Sequence, residues 1–339
     1  MTGEPPLIPL RLPERLRPTQ DAHGLVGRVV RVDRGRALAM DDSGRAVEIP
    51  GSASAGAELC TGDWVTWTSG EVTRLERSSV IARASRARGE GQTVAVNVDV
   101  LFLVVRAEEA TRERLLQRLA AIGWDSGARP VLVISAADRA TDARRREIER
   151  VVIRSAPGVE WVMTSALSGE GIEELASMLG PTTTAALLGH SGAGKSTLIN
   201  SIAGANVQQT GEVRARDVKG RHTTTSRELI DLGERGYVID TPGVRELGVL
   251  DGHSVERTFT DVAALAQSCR FSDCRHESEP GCAVLAATES GELEPGRLDD
   301  YQRLRREADH AERKAGPARR DKGREYNRLS RQYRRARGH

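Results

Sequence analysis

Gly189-His190-Ser191-Gly192-Ala193-Gly194-Lys195-Ser196 fills all four fixed positions of the spacing G-x-x-x-x-G-K-[ST]. The chemistry this spacing serves is the capture of a nucleotide polyphosphate. Glycines let backbone N–H groups turn inward and approach phosphate oxygens closely. The helix that follows adds the partial positive charge of its N-terminus. Lys195 is placed to reach the outer phosphates, and the Ser196 hydroxyl to ligate Mg²⁺. Thr197, next in line, completes the candidate phosphate-binding run. Of the 50 basic residues 46 are arginine and four are lysine, so a lysine at this position is a selective placement rather than background.

A second phosphate-sensing element lies 44 residues beyond Ser196. The apolar run Tyr237-Val238-Ile239 ends in Asp240-Thr241-Pro242-Gly243, a D-x-x-G pattern. There the Asp holds the Mg²⁺ shell and the Gly N–H meets the γ-phosphate. Alone, these residue types also make an ordinary turn. Between the two motifs stands Arg221-His222-Thr223-Thr224-Thr225. One of these threonines, Thr224 by our reading, completes the Mg²⁺ shell. Val244 occupies the place where Ras-like enzymes carry a water-orienting Gln. A valine side chain cannot bond water, and His222 is the nearest candidate for that task.

Guanine-reading elements lie upstream. Val131-Leu132-Val133-Ile134 runs into Ser135-Ala136-Ala137-Asp138, where guanine-binding proteins place Asn-Lys-x-Asp. Asp138 either reads the base edge or caps the helix expected over 142–155. Trp161-Val162-Met163 leads into Thr164-Ser165-Ala166, and Ser165 and Ala166 match the loop whose backbone touches the guanine oxygen. Both signals sit at strand ends, where ligands bind in sheets of this kind.

The elements that position these residues alternate. Apolar strands are expected at 100–105, 131–134, 160–163, 184–188 and 236–240, with helices near 111–122, 142–155, 171–179 and 196–203. Leu229 to Leu232 pairs with 236–240 across Gly233-Glu234-Arg235-Gly236. The motif order is base, Ser-Ala loop, phosphate loop, Thr loop, D-x-x-G. That is a circular permutation of the usual order, which surface termini permit.

Two modules flank this sheet. Short alternating runs over residues 25–83 fit a small oligonucleotide-binding (OB) type barrel. Trp64 and Trp67 lie three apart, so at least one is core. Arg74, Arg77, Arg83, Arg86 and Arg88 are candidates for phosphate-backbone contact. Downstream, Cys269, Cys274, His276 and Cys282 form a Cys₃His set suited to structural, tetrahedral Zn²⁺. Cys60 reads as a buried or idle thiol. Residues 301–339 carry 14 basic and five acidic side chains, a net +9 against −7 for residues 1–300. A basic tail beside a zinc site points to nucleic acid. The tail helices, Tyr301 to Ala311 and Glu325 to Arg337, lack the Phe or Trp of a membrane-binding face. No signal peptide or membrane-spanning stretch is read, and the first 24 residues are Pro-rich and expected to be disordered.

Together these residues resemble the RsgA (YjeQ) family, circularly permuted GTPases of bacterial small-ribosomal-subunit assembly. The likeness covers roughly residues 25–315. It is carried by Gly62-Asp63-Trp64-Val65, Asn97-Val98-Asp99, Gly189 to Ser196, Arg221 to Thr225, Asp240 to Arg245, and the segment Cys269-Arg270-Phe271 to Cys282-Ala283-Val284. It implies a multidomain chain: arm 1–24, OB-type barrel 25–88, circularly permuted P-loop α/β GTPase domain 89–252, and helical zinc-binding domain with basic tail 253–339. It implies GTP/GDP, Mg²⁺ and one Zn²⁺, a cytoplasmic monomer, and the small ribosomal subunit with its rRNA as partner. It also implies His222 as the residue acting in hydrolysis and subunit-stimulated hydrolysis as the release step. The departure is Ser135-Ala136-Ala137-Asp138. The family pattern has Asn or Thr first and Lys second, so the sequence implies loss of a loop-fixing hydrogen bond and of packing over the base. Two such contacts at ~1–2 kcal/mol each weaken nucleotide binding ten- to a thousand-fold. Three other readings stay open: a different permuted assembly GTPase, a non-hydrolysing RNA-binding scaffold, and an ATP-dependent enzyme on the same loop.

Overall fold

The computed structural model describes residues 11, 25–33, 36–41, 43–50, 58–68, 71–83, 92–205, 207, 227–241 and 252–314. Arg86, Arg88, the Arg221 to Thr225 loop, Gly243, Val244 and the second tail helix lie outside the described residues.

The central sheet is built on strands too apolar to face water on either side. β8 (Val100–Arg106) is buried along all but its last residue, and β11 (Thr184–Leu188) is buried throughout. Continuous apolar strands of this kind belong inside a parallel sheet covered on both faces. The sheet order is β10 (Glu160–Met163), β9 (Arg129–Ser135), β8, β11, β13 (Tyr237–Asp240), β12 (Arg227–Asp231). All pairs are parallel except β12 with β13, where Leu229 faces Ile239 in an antiparallel hairpin, as expected.

Four helices follow in the expected places: α1 (Glu113–Asp125), α2 (Asp142–Ser155), α3 (Ile172–Ser177) and α4 (Lys195–Ala203). α2 is capped by Thr141, whose hydroxyl accepts from Arg144 N at 3.3 Å. Asp138 is therefore not the cap, and its carboxylate is left for another role.

The N-terminal strands form an antiparallel set: β1 (Leu25–Asp33), β2 (Arg36–Asp41), β3 (Ala46–Pro50), β4 (Trp64–Thr68) and β5 (Glu71–Arg74). β1 pairs with both β2 and β4. Val29, Ala39, Ile49, Val65 and Val72 close on one another as a separate small core. Trp64 is 3% exposed and belongs to the interior, as the spacing of the two tryptophans implied. Cys60 is a buried free thiol.

This set does not stand apart from the larger sheet. β1 also pairs with β12, Arg31 opposite Glu228 and Val32 opposite Arg227, so eleven strands share one hydrogen-bonded network. β6 (Val80–Arg83) pairs with β7 (Gln92–Val96) across the sequence boundary at 88. Ile81 of β6 packs into the main core with Val94 and Leu101 rather than with the small one.

The joint between the two bodies is polar and buried. Asn97 donates from Nδ2 to Gly62 O at 2.9 Å. A Cβ at Gly62 (φ +98°) would stand 2.2 Å from Val96 O, so only glycine fits that approach. Arg28, 1% exposed, donates to Asn97 O at 3.2 Å, with its guanidinium 4.8 Å from the Trp64 ring and 5.6 Å from Tyr237. Arg11 also reaches this strand, donating its backbone N–H to Tyr237 Oη at 2.9 Å.

Arg77 is not free to meet a phosphate backbone. Both its Nε and Nη2 donate to the Asp63 carboxylate at 2.7 Å, and Asp63 also accepts from Cys60 N at 2.7 Å. The Asp63 side chain is fully buried, so it needs that cation.

The C-terminal helices are α5 (Gly252–Thr258), α6 (Thr260–Ala266), α7 (Ala283–Ser290) and α8 (Pro295–Lys314). α5 and α8 rest on α1 through Arg118–Glu307, Arg114–Asp300 and Arg257 stacked 3.7 Å from the Trp124 ring. We predict that Arg77→Met destabilises the chain by about 3 kcal/mol, because it strands a buried carboxylate. Urea unfolding followed by tryptophan fluorescence measures this, and an unchanged midpoint would contradict it.

Candidate nucleotide site and cysteine cluster

Parallel pairing delivers the chemical loops to one end of the sheet. Leu188, the last residue of β11, is level with Leu103 of β8, and Leu187 is level with Asp240. Arg106 is level with Ser135, and Ile134 with Met163. Phosphate loop, Asp240, Asp138 loop and Ser165 loop thus leave neighbouring strand ends, the customary ligand side of an open α/β sheet.

The phosphate loop has the geometry its glycines require. A Cβ at Gly189 would meet Val104 O at 2.5 Å. Gly194 (φ +93°) precedes α4, and no side chain caps the first turn. Those N–H groups are available to anionic oxygen. Lys195 Nζ donates to Gly189 O at 2.8 Å and His190 O at 3.1 Å, folded over the loop it would share with phosphates. His190 Nδ1 lies 2.6 Å from Ser191 O, and its Nε2 contacts Glu109. Ala193 is buried, Ser196 half-buried on the first turn, and Ser191, Gly192 and Thr197 exposed. Thr241 Oγ1 donates to Leu187 O, which pins the residue after Asp240 to the strand feeding the loop.

The two loops expected to read a base come together. Ser165 Oγ donates to Asp138 Oδ1 at 2.6 Å. That bond holds the Asp138 carboxyl below its ordinary range, keeping it an acceptor for N–H donors. Ala137 N donates to Thr164 O at 3.0 Å, and Arg145 ties Ala137 O at 2.9 Å to Glu170 at 2.8 Å. Ala166 and Leu167 are exposed beside them.

Ser135 was expected to remove a loop-fixing hydrogen bond. Instead its Oγ donates to Ala193 O of the phosphate loop at 2.7 Å, from a position 8% exposed. The two loops are therefore tied together. Sequence reasoning also missed Arg106, whose Nη1 donates to Gly192 O at 3.4 Å while Nε and Nη2 meet Glu108 at 3.2 Å each. Its only sequence signal was a charged residue ending an otherwise apolar strand. A cavity of about 340 Å³ lies beside these loops, lined by Ala107, Glu108, Arg139 and Thr141. It includes no phosphate-loop residue.

The Cys₃His set closes into one cluster, its four ligand atoms within 4.8 Å of each other. Cys269 Sγ and Cys282 Sγ are 3.9 Å apart, and His276 Nδ1 lies 3.4 Å from Cys282 Sγ and 3.7 Å from Cys269 Sγ. A tetrahedral Zn²⁺ with bonds of ~2.3 Å to sulfur and ~2.0 Å to nitrogen has edges of about 3.8 and 3.5 Å, so the residues fit that ion. Burial pushes the Cys274 thiol up to about 12, with neighbouring Cys282 and Cys269 adding to the shift. Burial holds His276 below its usual value, favouring the neutral ring that ligates metal. Glu279 knots the loop by accepting from Arg275 N at 2.8 Å and Glu277 N at 2.9 Å, and Gln302 of α8 donates to His276 O at 2.6 Å.

The sequence profile described as RsgA GTPase matches residues 74–250. The small ribosomal subunit biogenesis GTPase RsgA 2 of Lactiplantibacillus plantarum is 40% identical over 301 residues, 85% of each chain. The chain belongs to the RsgA GTPase family. It is accordingly a GTP-hydrolysing enzyme with the family's permuted fold. The crystal structure of YjeQ from Thermotoga maritima superposes with a TM-score of 0.60 at 25% identity, covering 84% of this chain and 98% of that one. YloQ, described as a circularly permuted GTPase, superposes with a TM-score of 0.56 at 23% identity, covering 86% and 98%, and shares the fold. RsgA-family membership and the tetrahedral fit lead to one prediction. Chelator treatment of the full chain releases one zinc per molecule and lowers its melting temperature by ~5 °C or more. Atomic absorption and a thermal melt measure this; absent zinc with an unchanged melt would contradict it.

Proposed function

We propose that this GTPase binds the small ribosomal subunit late in its maturation and that GTP hydrolysis releases it. The observation that carries the reading is the convergence of the phosphate loop, Asp240 and the Asp138–Ser165 pair at one sheet end, in a chain of the RsgA family. The name of the L. plantarum relative, a small ribosomal subunit biogenesis GTPase, supports the choice of subunit. The work is done in the cytoplasm, by a monomer, on rRNA.

In this reading the Gly189 to Thr197 run cradles the phosphates, with Lys195 swinging from its carbonyl partners to the outer oxygens. Ser196 and Thr224 hold Mg²⁺, with Asp240 behind them and the Gly243 N–H at the γ-phosphate. Mg²⁺ supplies charge neutralisation of the transferring phosphoryl group. Asp138, Ser165 and Ala166 read the guanine edge. His222 orients the attacking water, the task Val244 cannot perform. The Cys269, Cys274, His276 and Cys282 set holds a structural Zn²⁺. No helix among the described residues is long and apolar enough to cross a membrane.

Residues 25–88 act as an OB-type RNA-binding barrel, 89–252 as the GTPase domain, and 253–339 as the zinc domain with its basic tail. Barrel and tail grip RNA, and nucleotide state alters that grip through the residues on either side of Asp240. GTP hydrolysis measured with purified small subunits, large subunits or neither tests the proposal. Small subunits should raise the rate about tenfold or more, with ATP inert. Equal rates in all three conditions would contradict it.

A further inference from the structure

The proposed base site lacks a lysine at position 136, yet a cation ends the neighbouring strand. Arg106 ends β8, level with Ser135 across the β8–β9 pair, and Asp138 is three residues beyond Ser135. Its Nη1 reaches Gly192 O of the phosphate loop at 3.4 Å. Its other edge, Nε and Nη2, meets the two carboxylate oxygens of Glu108 at 3.2 Å each. Arg139 braces Glu108 from the far side at 3.7 Å. The charge of Arg106 is also felt at the Asp138 carboxylate. The side chain therefore sits between the loop that takes phosphates and the carboxylate that takes the base edge.

The form of the contact matters. A guanidinium is planar, and both hydrogen-bonding edges of this one are engaged within its own plane. Contacts at the edges do not use the faces, and 28% of the side chain is exposed. Purine rings stack well on fixed arginine planes. Ala136, held at φ +56°, has no side chain that could cover the base.

We propose that Arg106 is the nucleobase platform of this enzyme and a determinant of its guanine affinity, standing in for the lysine absent at position 136. The proposal rests on the reading of Asp138 as the guanine-edge acceptor. Ser135 and Arg106 then divide the work between them: Ser135 ties the base loop to Ala193, and Arg106 ties Gly192 to the base. Glu108 is a positioning residue that acts through Arg106.

Affinities of the full-length chain for GDP, ADP and pyrophosphate, by competition against a fluorescent guanine nucleotide, test this. Arg106→Ala should lower the ratio of GDP to pyrophosphate affinity about tenfold, and Arg106→Met, which keeps the stem but loses the plane, should lower it in the same direction. Adding Ala136→Lys to Arg106→Ala should recover most of the loss, which a general folding defect would not allow. Asp138→Asn is the companion variant. It should weaken GDP while favouring xanthosine diphosphate, whose ring offers an acceptor where guanine offers a donor. An unchanged GDP to pyrophosphate ratio in Arg106→Ala, beside the expected response of Asp138→Asn, would overturn the platform and leave the base reading intact. No response from Asp138→Asn would overturn the base reading and the platform with it.

Discussion

Every functional loop of this chain depends on the parallel pairing of β8 with β11 and of β11 with β13. Parallel strands put their carboxyl ends level, and the register fixes which residues become neighbours. Leu188 beside Leu103, and Leu187 beside Asp240, place the phosphate loop between the strands that lead to Asp138 and Ser165 and the strand that ends in Asp240. Chain order is irrelevant to that result. The segment from 97 to 180 can therefore precede the phosphate loop without moving a site residue. What permutation does change is where the chain leaves the sheet. Beyond Asp240 the sequence leads to α5 and the cysteine cluster, and α5 and α8 lie on α1.

The second constraint is the union of the two β systems. Arg227 and Glu228, which follow the Thr loop directly, are paired to Val32 and Arg31 of β1. β12 is thus shared between the large sheet and the N-terminal strands. Arg28, buried against Trp64 and Tyr237, fastens the same strand to β13, three residues before Asp240. Elements on both sides of the nucleotide site are hydrogen-bonded or packed to the module proposed to hold RNA. This is a physical route by which occupancy of one site can bias the other, through a stiff sheet rather than a flexible linker.

Much of this architecture was legible in the sequence. The central strands are long apolar runs ended by glycine or charge, and the phosphate loop and Cys₃His spacing are rigid chemical requirements. The pairing of Asp138 with Ser165 followed from two weak motifs each at a strand end. Three features were not legible. Ser135 looked like a loss because residue type alone does not show reach; its Oγ comes within 2.7 Å of Ala193 O only through the tertiary placement of the end of β9 near the phosphate loop. Arg77 looked like an RNA contact because its partner Asp63 is 14 residues away and its burial is a tertiary fact. Arg106 was hidden among 46 arginines, none distinguishable by composition.

The central claim is that a guanine site survives in a loop that has lost two of its usual residues. Competition of GDP and ADP for the unmodified, full-length chain tests it most directly. The account predicts that GDP binds about a hundredfold or more tightly than ADP, because Asp138, as proposed, accepts from the guanine edge and would be left unpaired against adenine. Equal affinity for the two nucleotides would contradict it.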